Sequence, residues 1–201
     1  VREKNGQPHT ITFIDTPGHA AFQTMRERGA QIADIAILVV SAEDGVKEQT
    51  LEAYRSIQEA KIPFIVAINK IDKPNANQEI TKLSLAEAGI YVEGYGGDVS
   101  WVAISAKVGT GVPELLDTIL LLAELGDFKG DSAKPAEGIV IESNTDAKSG
   151  TTGTIIITDG TIEKGGFVVA EDAMAPLRMM TDFTGKSIDS ASFSSPIRIT
   201  G

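Results

Sequence analysis

Two short stretches, Ile35-Ala36-Ile37-Leu38-Val39-Val40 and Phe64-Ile65-Val66-Ala67-Ile68, are apolar at every position. A strand with one face in water alternates apolar and polar residues, whereas an unbroken apolar run is covered on both faces. That calls for a mainly parallel sheet with helices on either side. The residues between the two runs supply one such helix: Leu51, Tyr54 and Ile57 recur at helical spacing, and Ile62-Pro63 ends the pattern.

The alternation extends in both directions. Phe22, Met25, Gly29 and Ile32 space out a helix before the first run. A polar loop through Asn77 leads to a helix ending near Ala88-Gly89, residues 101–104 read as a further strand, and residues 112–125 as a strongly apolar helix. At the start, Ile11-Thr12-Phe13-Ile14 is a β-branched-rich run that predicts a buried strand, entered from a hairpin turn at Asn5-Gly6. Residues 1–126 are therefore expected to be α/β, with a mainly parallel sheet.

Then the period changes. Gly126, Gly130, Ser132 and Pro135 lie among charges, and residues 127–137 read as a linker. Beyond it come only short strand-like runs at 138–142, 153–158, 167–170, 177–180 and 196–200. Ser149-Gly150, Asp159-Gly160, Gly165-Gly166 and Thr184-Gly185 separate them. Five short strands with tight turns predict a small antiparallel β-barrel or sandwich over residues 138–201.

Composition narrows the function classes. The chain has 201 residues, 42% of them apolar and 23% charged, an ordinary globular balance. With no cysteine and two histidines, neither a disulfide framework nor an all-protein zinc site is expected. No run of about eighteen apolar residues occurs and the N-terminus carries no apolar signal core, so a cytoplasmic protein with no membrane partner is expected. The chain does not begin with Met and starts within a strand-like run, which fits a piece of a longer protein. The net charge is −10, with 11 Lys/Arg against 17 Asp/Glu in residues 1–126 and 7 against 11 in the rest. Bulk electrostatics therefore exclude DNA and leave any RNA contact to local shape.

Three expected strands end in polar loops of unusual content: Asp15-Thr16-Pro17-Gly18-His19, Asn69-Lys70-Ile71-Asp72 and Ser105-Ala106-Lys107. In open α/β sheets, ligands sit outside the carboxyl ends of the strands. Asp15 at a strand end can hold Mg²⁺ through water, and the Gly18 N–H can approach a terminal phosphate with no side chain in the way. Alone, this stretch fits a capped strand-turn-helix junction better. Asp72 can accept from N1–H and the exocyclic amine of a guanine, where adenine would present a lone pair. Asn69 can bridge the purine to a neighbouring loop, and the Lys70 stem can lie along the base. Backbone N–H groups at Ser105, Ala106 and Lys107 can donate to guanine O6, with Lys107 covering the other face. Each tripeptide or tetrapeptide alone is compatible with an idle loop; the three in this order point to a guanine nucleotide.

His19 is either an idle surface histidine or a neutral imidazole that positions the water attacking the terminal phosphate; His9 reads as surface. Gly185-Lys186-Ser187 mimics the end of a phosphate loop, but Met180 stands where the earlier glycine belongs, and a hairpin turn is expected there. Gly109-Thr110-Gly111 starts a dinucleotide fingerprint that fails at Glu114.

With these motifs in view, the chain resembles the translation initiation factor 2 family of bacteria, ribosome-activated translational GTPases. Asp15-Thr16-Pro17-Gly18-His19-Ala20-Ala21-Phe22, Asn69-Lys70-Ile71-Asp72-Lys73-Pro74 and Ser105-Ala106-Lys107 carry the likeness. Gly96-Gly97-Asp98 and Leu120-Leu121-Leu122-Ala123-Glu124 support it. Residues 135–201 resemble the family's β-barrel domain, with Ile162-Glu163-Lys164-Gly165-Gly166-Phe167-Val168-Val169-Ala170 departing at Gly166 and Ala170, where Asp and Gly are usual. The resemblance implies an incomplete P-loop GTPase-type domain followed by the barrel, GTP or GDP and Mg²⁺ as ligands, and His19 as the catalytic residue. It implies the small ribosomal subunit and the GTPase-activating region of the large subunit as partners, with initiator tRNA bound by parts beyond these residues. No G-x-x-x-x-G-K-[ST] loop occurs in the chain, so a fragment lacking that loop is expected, inactive by itself. An elongation-factor-type GTPase and a non-catalytic GTPase-like binding module remain the alternatives.

Overall fold

The hairpin turn expected at Asn5-Gly6, two residues outside the described ones, needs a strand on each side. The computed structural model, which describes residues 2–4, 7–17, 23–146, 150–170 and 173–200, has both. β1 (Arg2–Lys4) pairs antiparallel with β2 (Gln7–His9), Arg2 opposite His9 and Lys4 opposite Gln7. Contrary to expectation, residues 11–14 then form no strand, and Phe13 is 61% exposed. β-branched residues favour a strand only where a hydrogen-bonded neighbour and a covering layer exist, and here no described strand lies beside them. The chain divides into two compact units, Ile14–Phe128 and Val1–Phe13 with Lys129–Gly201.

In the first unit the all-apolar runs form the sheet as expected. After α1 (Gln23–Ile32), β3 (Ala36–Ser41) pairs in parallel with β4 (Phe64–Asn69), which pairs in parallel with β5 (Trp101–Ala103). β4 is central, and Ile65, Val66, Ala67 and Ile68 are fully buried. Each crossover carries a helix: α2 (Glu48–Ala60) between β3 and β4, α3 (Gln78–Glu87) between β4 and β5. Lys61 closes α2 in the left-handed region, and the Asn77 side chain caps α3 by accepting from the Glu79 and Ile80 N–H groups. α4 (Val112–Leu125) follows β5. Gly111 precedes it with φ of 73°, where a Cβ would lie 2.0 Å from the Ala103 carbonyl oxygen; only glycine lets the chain pass that close. The core on one side of the sheet gathers Leu38, Val40, Ile57, Val66, Ile68, Leu85, Ile90 and Val92. No described helix is long and apolar enough to cross a membrane.

The second unit is antiparallel. β6 (Glu137–Asp146) and β7 (Gly150–Asp159) make a long bulged hairpin. β8 (Thr161–Glu163), β9 (Phe167–Ala170), β10 (Ala173–Pro176), β11 (Met179–Asp182), β12 (Ser190–Ser192) and β13 (Pro196–Thr200) follow. The main sheet has the order β11-β13-β7-β6, with β8 paired to β12 and β9 to β10. Ile155, Ile157, Leu177, Met180 and Ile197 form its core. β10 and β12 escape the sequence because Ala, Ser and Pro carry little strand signal. The run expected at 177–180 moves to 179–182, and Leu177 instead is buried in the link between β10 and β11. Gly185-Lys186-Ser187 belongs to a hairpin loop, as expected: the Asp182 carboxylate accepts from the Thr184 and Lys186 N–H groups at 2.9 and 3.0 Å.

Residues 131–135, within the stretch read as a linker, are tied to this unit. The Asp159 carboxylate accepts from the Asp131 N–H at 2.7 Å, the Gly160 N–H at 2.9 Å and Lys134 Nζ at 2.8 Å. Those donors, the lysine first, hold its pKa down to about 2 from 3.8. A depressed carboxylate stabilises the fold above its ordinary pKa and loses that contribution as pH falls through the folded value. Between about pH 4 and 2 the clip should therefore open. The Asp131 and Gly160 amide resonances should titrate together near pH 2, and Asp159→Asn should abolish that titration; shifts independent of Asp159 would refute the clip.

Candidate functional site

The carboxyl ends of β3, β4 and β5 place three loops side by side. Ser41 and Asn69 are register partners at the ends of β3 and β4, and the Ala42 N–H donates to the Asn69 carbonyl at 2.8 Å. The Ile104 N–H donates to the Ile68 carbonyl at 2.8 Å and the Ile71 N–H to the Ile104 carbonyl at 3.3 Å. The loop after β5 is thus stitched to the loop after β4 by backbone alone.

Side chains then join the two expected motifs. Asn69 Oδ1 accepts from the Lys70 N–H at 2.7 Å and the Ala106 N–H at 3.0 Å. Two N–H donors require the oxygen at that position, so the amide nitrogen is the group left to meet a ligand acceptor. The Ser105 hydroxyl donates to Asp72 Oδ1 at 2.7 Å and accepts from the Val108 N–H at 3.2 Å. Ser105 is fully buried while Asp72 is exposed. The hydroxyl is the main reason the Asp72 pKa lies below its ordinary value, with the Lys73 and Lys107 charges adding to it. A carboxylate has about four lone-pair sites; with one taken, Asp72 keeps room for a paired donor such as an N–H beside an amine.

Lys70 sits at φ 68°, a left-handed geometry uncommon outside glycine. Its ammonium lies 3.6 Å from Asp44 Oδ2 in the loop after β3. The hydrogen bond from Lys47, then that from Ser41, bring the Asp44 pKa to about 2. Nothing in the sequence singled out Asp44, because residues 41–45 read only as a loop. The Ser105 hydroxyl was also missed: the motif drew attention to backbone donors. Of those three donors, the Ser105 N–H is engaged with the Thr110 carbonyl at 2.9 Å and the Ala106 N–H with Asn69. Contact with guanine O6 would fall to the Lys107 N–H or to sharing by Ala106.

Residues 15–17 keep different company. Asp15 is exposed. The Pro17 carbonyl accepts from Arg26 Nη1 at 3.0 Å, and Thr16 packs so closely on α1 that a Cβ at Gly29 would lie 2.9 Å from Thr16 Cγ2. Gly18 and His19, expected to meet the terminal phosphate, lie outside the described residues, as do Ala20, Ala21 and Phe22.

Residues 2–124 match the family described as the elongation factor Tu GTP binding domain, and residues 135–201 match elongation factor G domain 2. Translation initiation factor IF-2 of Kosmotoga olearia is 50% identical over 200 residues, covering 99% of this chain and 28% of that protein. Across the similar relatives named translation initiation factor IF-2, the chain spans 23 to 32% of their length. Among solved structures, elongation factor SelB of Methanococcus maripaludis in complex with the GTP analogue GPPNHP is 27% identical with a TM-score of 0.72. That likeness covers 93% of this chain and 42% of SelB. The GDP-bound aIF5B of Aeropyrum pernix shares the fold at a TM-score of 0.69 and 24% identity, over 89% of this chain and 38% of that one.

Proposed function

The chain belongs to the elongation factor Tu GTP-binding domain family, and from that premise we propose that it supplies the guanine-recognising part of the nucleotide site in a ribosome-activated translation initiation factor. The observation that carries the reading is the hydrogen-bonded set of Asn69, Asp72, Ser105 and Ala106 at the ends of adjacent parallel strands. Its donor and acceptor pattern suits one purine. Asp72, held by the Ser105 hydroxyl, accepts from N1–H and the 2-amine; the Asn69 amide donates to a ring nitrogen; the Lys70 and Lys107 stems cover the faces.

The residues present also fit Mg²⁺, which takes one or two carboxylates and keeps several waters and substrate phosphates. Asp15 is a single exposed carboxylate of that kind. No group of three or more His, Asp or Glu able to cage a metal occurs among the described residues. Bound there, the ion would neutralise charge on the terminal phosphates. Asp15 would hold it through its water shell, the Gly18 N–H would meet the terminal phosphate, and His19 would orient the attacking water. The proposed partners are the small ribosomal subunit and the GTPase-activating region of the large one, with initiator tRNA bound through other residues, in the cytoplasm. An elongation factor is the second reading, favoured by the match of residues 135–201 to elongation factor G domain 2.

Titration calorimetry tests the reading. The full-length protein should bind GTP and GDP and not ATP. The 201 residues by themselves hold the base contacts but no G-x-x-x-x-G-K-[ST] loop, and carry a net charge of −10. Without the lysine and N–H cradle that such a loop offers to phosphates, their GTP dissociation constant should exceed roughly 100 μM. Low-micromolar GTP binding by these residues alone would mean that the phosphate site lies elsewhere in them.

A further inference from the structure

Ser41 ends β3 and opens a loop whose shape is fixed from two sides. The Ser41 hydroxyl accepts from the Glu43 and Asp44 N–H groups, both at 3.3 Å, and its carbonyl from the Gly45 N–H at 2.9 Å. Towards α3, the Ala42 carbonyl accepts from the Asn77 N–H at 2.8 Å, and the Val46 N–H donates to the Ser84 hydroxyl at 3.1 Å. Asp44 therefore stands on backbone with little freedom of its own. Its carboxylate spans two cations: Oδ1 accepts from Lys47 Nζ at 2.6 Å, and Oδ2 lies 3.6 Å from Lys70 Nζ. Both pairs are partly exposed. Such pairs contribute little to stability, because water screens them and long side chains must be ordered to form them. The Lys70 pair does, however, set where one particular side chain lies.

Lys70 is held at both ends. Its N–H donates to Asn69 Oδ1 at 2.7 Å from a backbone with φ of 68°, and its ammonium faces Asp44. Between these lies the four-carbon stem that covers the base in the reading above. Lysine is among the side chains that lose most freedom on being ordered. A ligand that must order such a stem binds more weakly than one that meets it in place. Resting on the guanine site proposed above, we propose that Asp44 is a positioning residue, which holds the Lys70 ammonium so that the stem lies ready against the purine. Asp44 itself touches neither base nor phosphate. The stem meets a ring face, which a diphosphate and a triphosphate of the same nucleoside present alike. Asp44 therefore raises the affinity for both by one factor, and the choice of base stays with Asp72. Its whole effect passes through one ammonium group.

The test uses the full-length protein with Asp44→Asn, Lys70→Met and the double variant. Titration calorimetry gives the affinities for GDP and for a non-hydrolysable GTP analogue. Asp44→Asn keeps the size of the side chain and an oxygen for Lys47, and removes the charge. It should weaken both nucleotides equally, by about threefold, the scale of an exposed ion pair. Lys70→Met keeps an unbranched stem without the ammonium and should weaken both at least as much. In that background Asp44→Asn should weaken neither further, because the interaction it removes is already gone. A carboxylate that merely shaped its own loop would show the same factor in either background. An effect that persists beside Lys70→Met, an effect on one nucleotide only, or no effect at all overturns the inference while the site stands. A wild-type protein that binds neither nucleotide overturns the site and the inference with it.

Discussion

Replacing His19 by Ala in the full-length protein should cut ribosome-stimulated GTP hydrolysis by about a hundredfold or more, with GTP affinity within about twofold of the wild type. In the sequence His19 directly follows Gly18, whose N–H is proposed to face the terminal phosphate. It offers a group that is neutral at pH 7 when unperturbed and can both accept and donate a hydrogen bond. Positioned proton-transfer groups contribute about 10²- to 10⁴-fold, and phosphoryl transfer leaves the protein mainly orientation and charge to supply. A group used only in the transition state lowers turnover without lowering ground-state binding. Single-turnover hydrolysis on ribosomes is the decisive measurement, with nucleotide affinity measured alongside. Normal ribosome-stimulated turnover in the variant would make the imidazole a bystander.

Asp72→Asn should weaken GTP and GDP about ten- to a hundredfold and turn the site towards xanthine nucleotides. Asn keeps one oxygen, which can still accept the Ser105 hydroxyl that holds Asp72 at 2.7 Å, so the loop should keep its shape. What changes is the second position. A carboxylate oxygen that accepted the guanine amine becomes an NH₂ that faces it, donor against donor, whereas the xanthine carbonyl there is an acceptor. Competition of GTP and XTP for the variant reads this out directly. Unchanged GTP affinity would remove Asp72 from the base contact.

Much of the architecture was legible because it follows from local rules. Runs without a polar residue at 35–40 and 64–68 demanded cover on both faces; β4 has it, whereas β3 buries Leu38 and Val40 on one face and leaves Val39 on the other 54% exposed. Asn77 and Ile62-Pro63 marked helix ends that the structure keeps. Asp159-Gly160, Gly165 and Gly185 marked turns, and Gly160, Gly165 and Gly185 all adopt positive φ. The run 11–14 misled, because apolar β-branched residues report a propensity and a strand needs a partner that sequence spacing cannot supply. β10 and β12 were invisible for the opposite reason: their ladder partners hold residues with little propensity of their own.

At the candidate site the same division holds. Residue type and order alone determined that Asn69, Asp72 and Ser105-Ala106-Lys107 sit at strand ends and carry a donor and acceptor set suited to guanine, because strand period and loop chemistry are local. Only the tertiary structure decided which of those groups are already committed. The Ala106 N–H is bound to Asn69, and the Ser105 hydroxyl has turned to Asp72, 33 positions away in the chain. Lys82, which nothing in the sequence singled out, lies buried with its ammonium 3.9 Å over the Trp101 ring and paired with Glu79. Arg26 and Glu52 meet across two helices, 26 positions apart. Such contacts depend on how elements pack, through crossing angles and distances that no spacing in the sequence encodes, and they decide which polar groups are satisfied within the fold and which remain to meet a ligand.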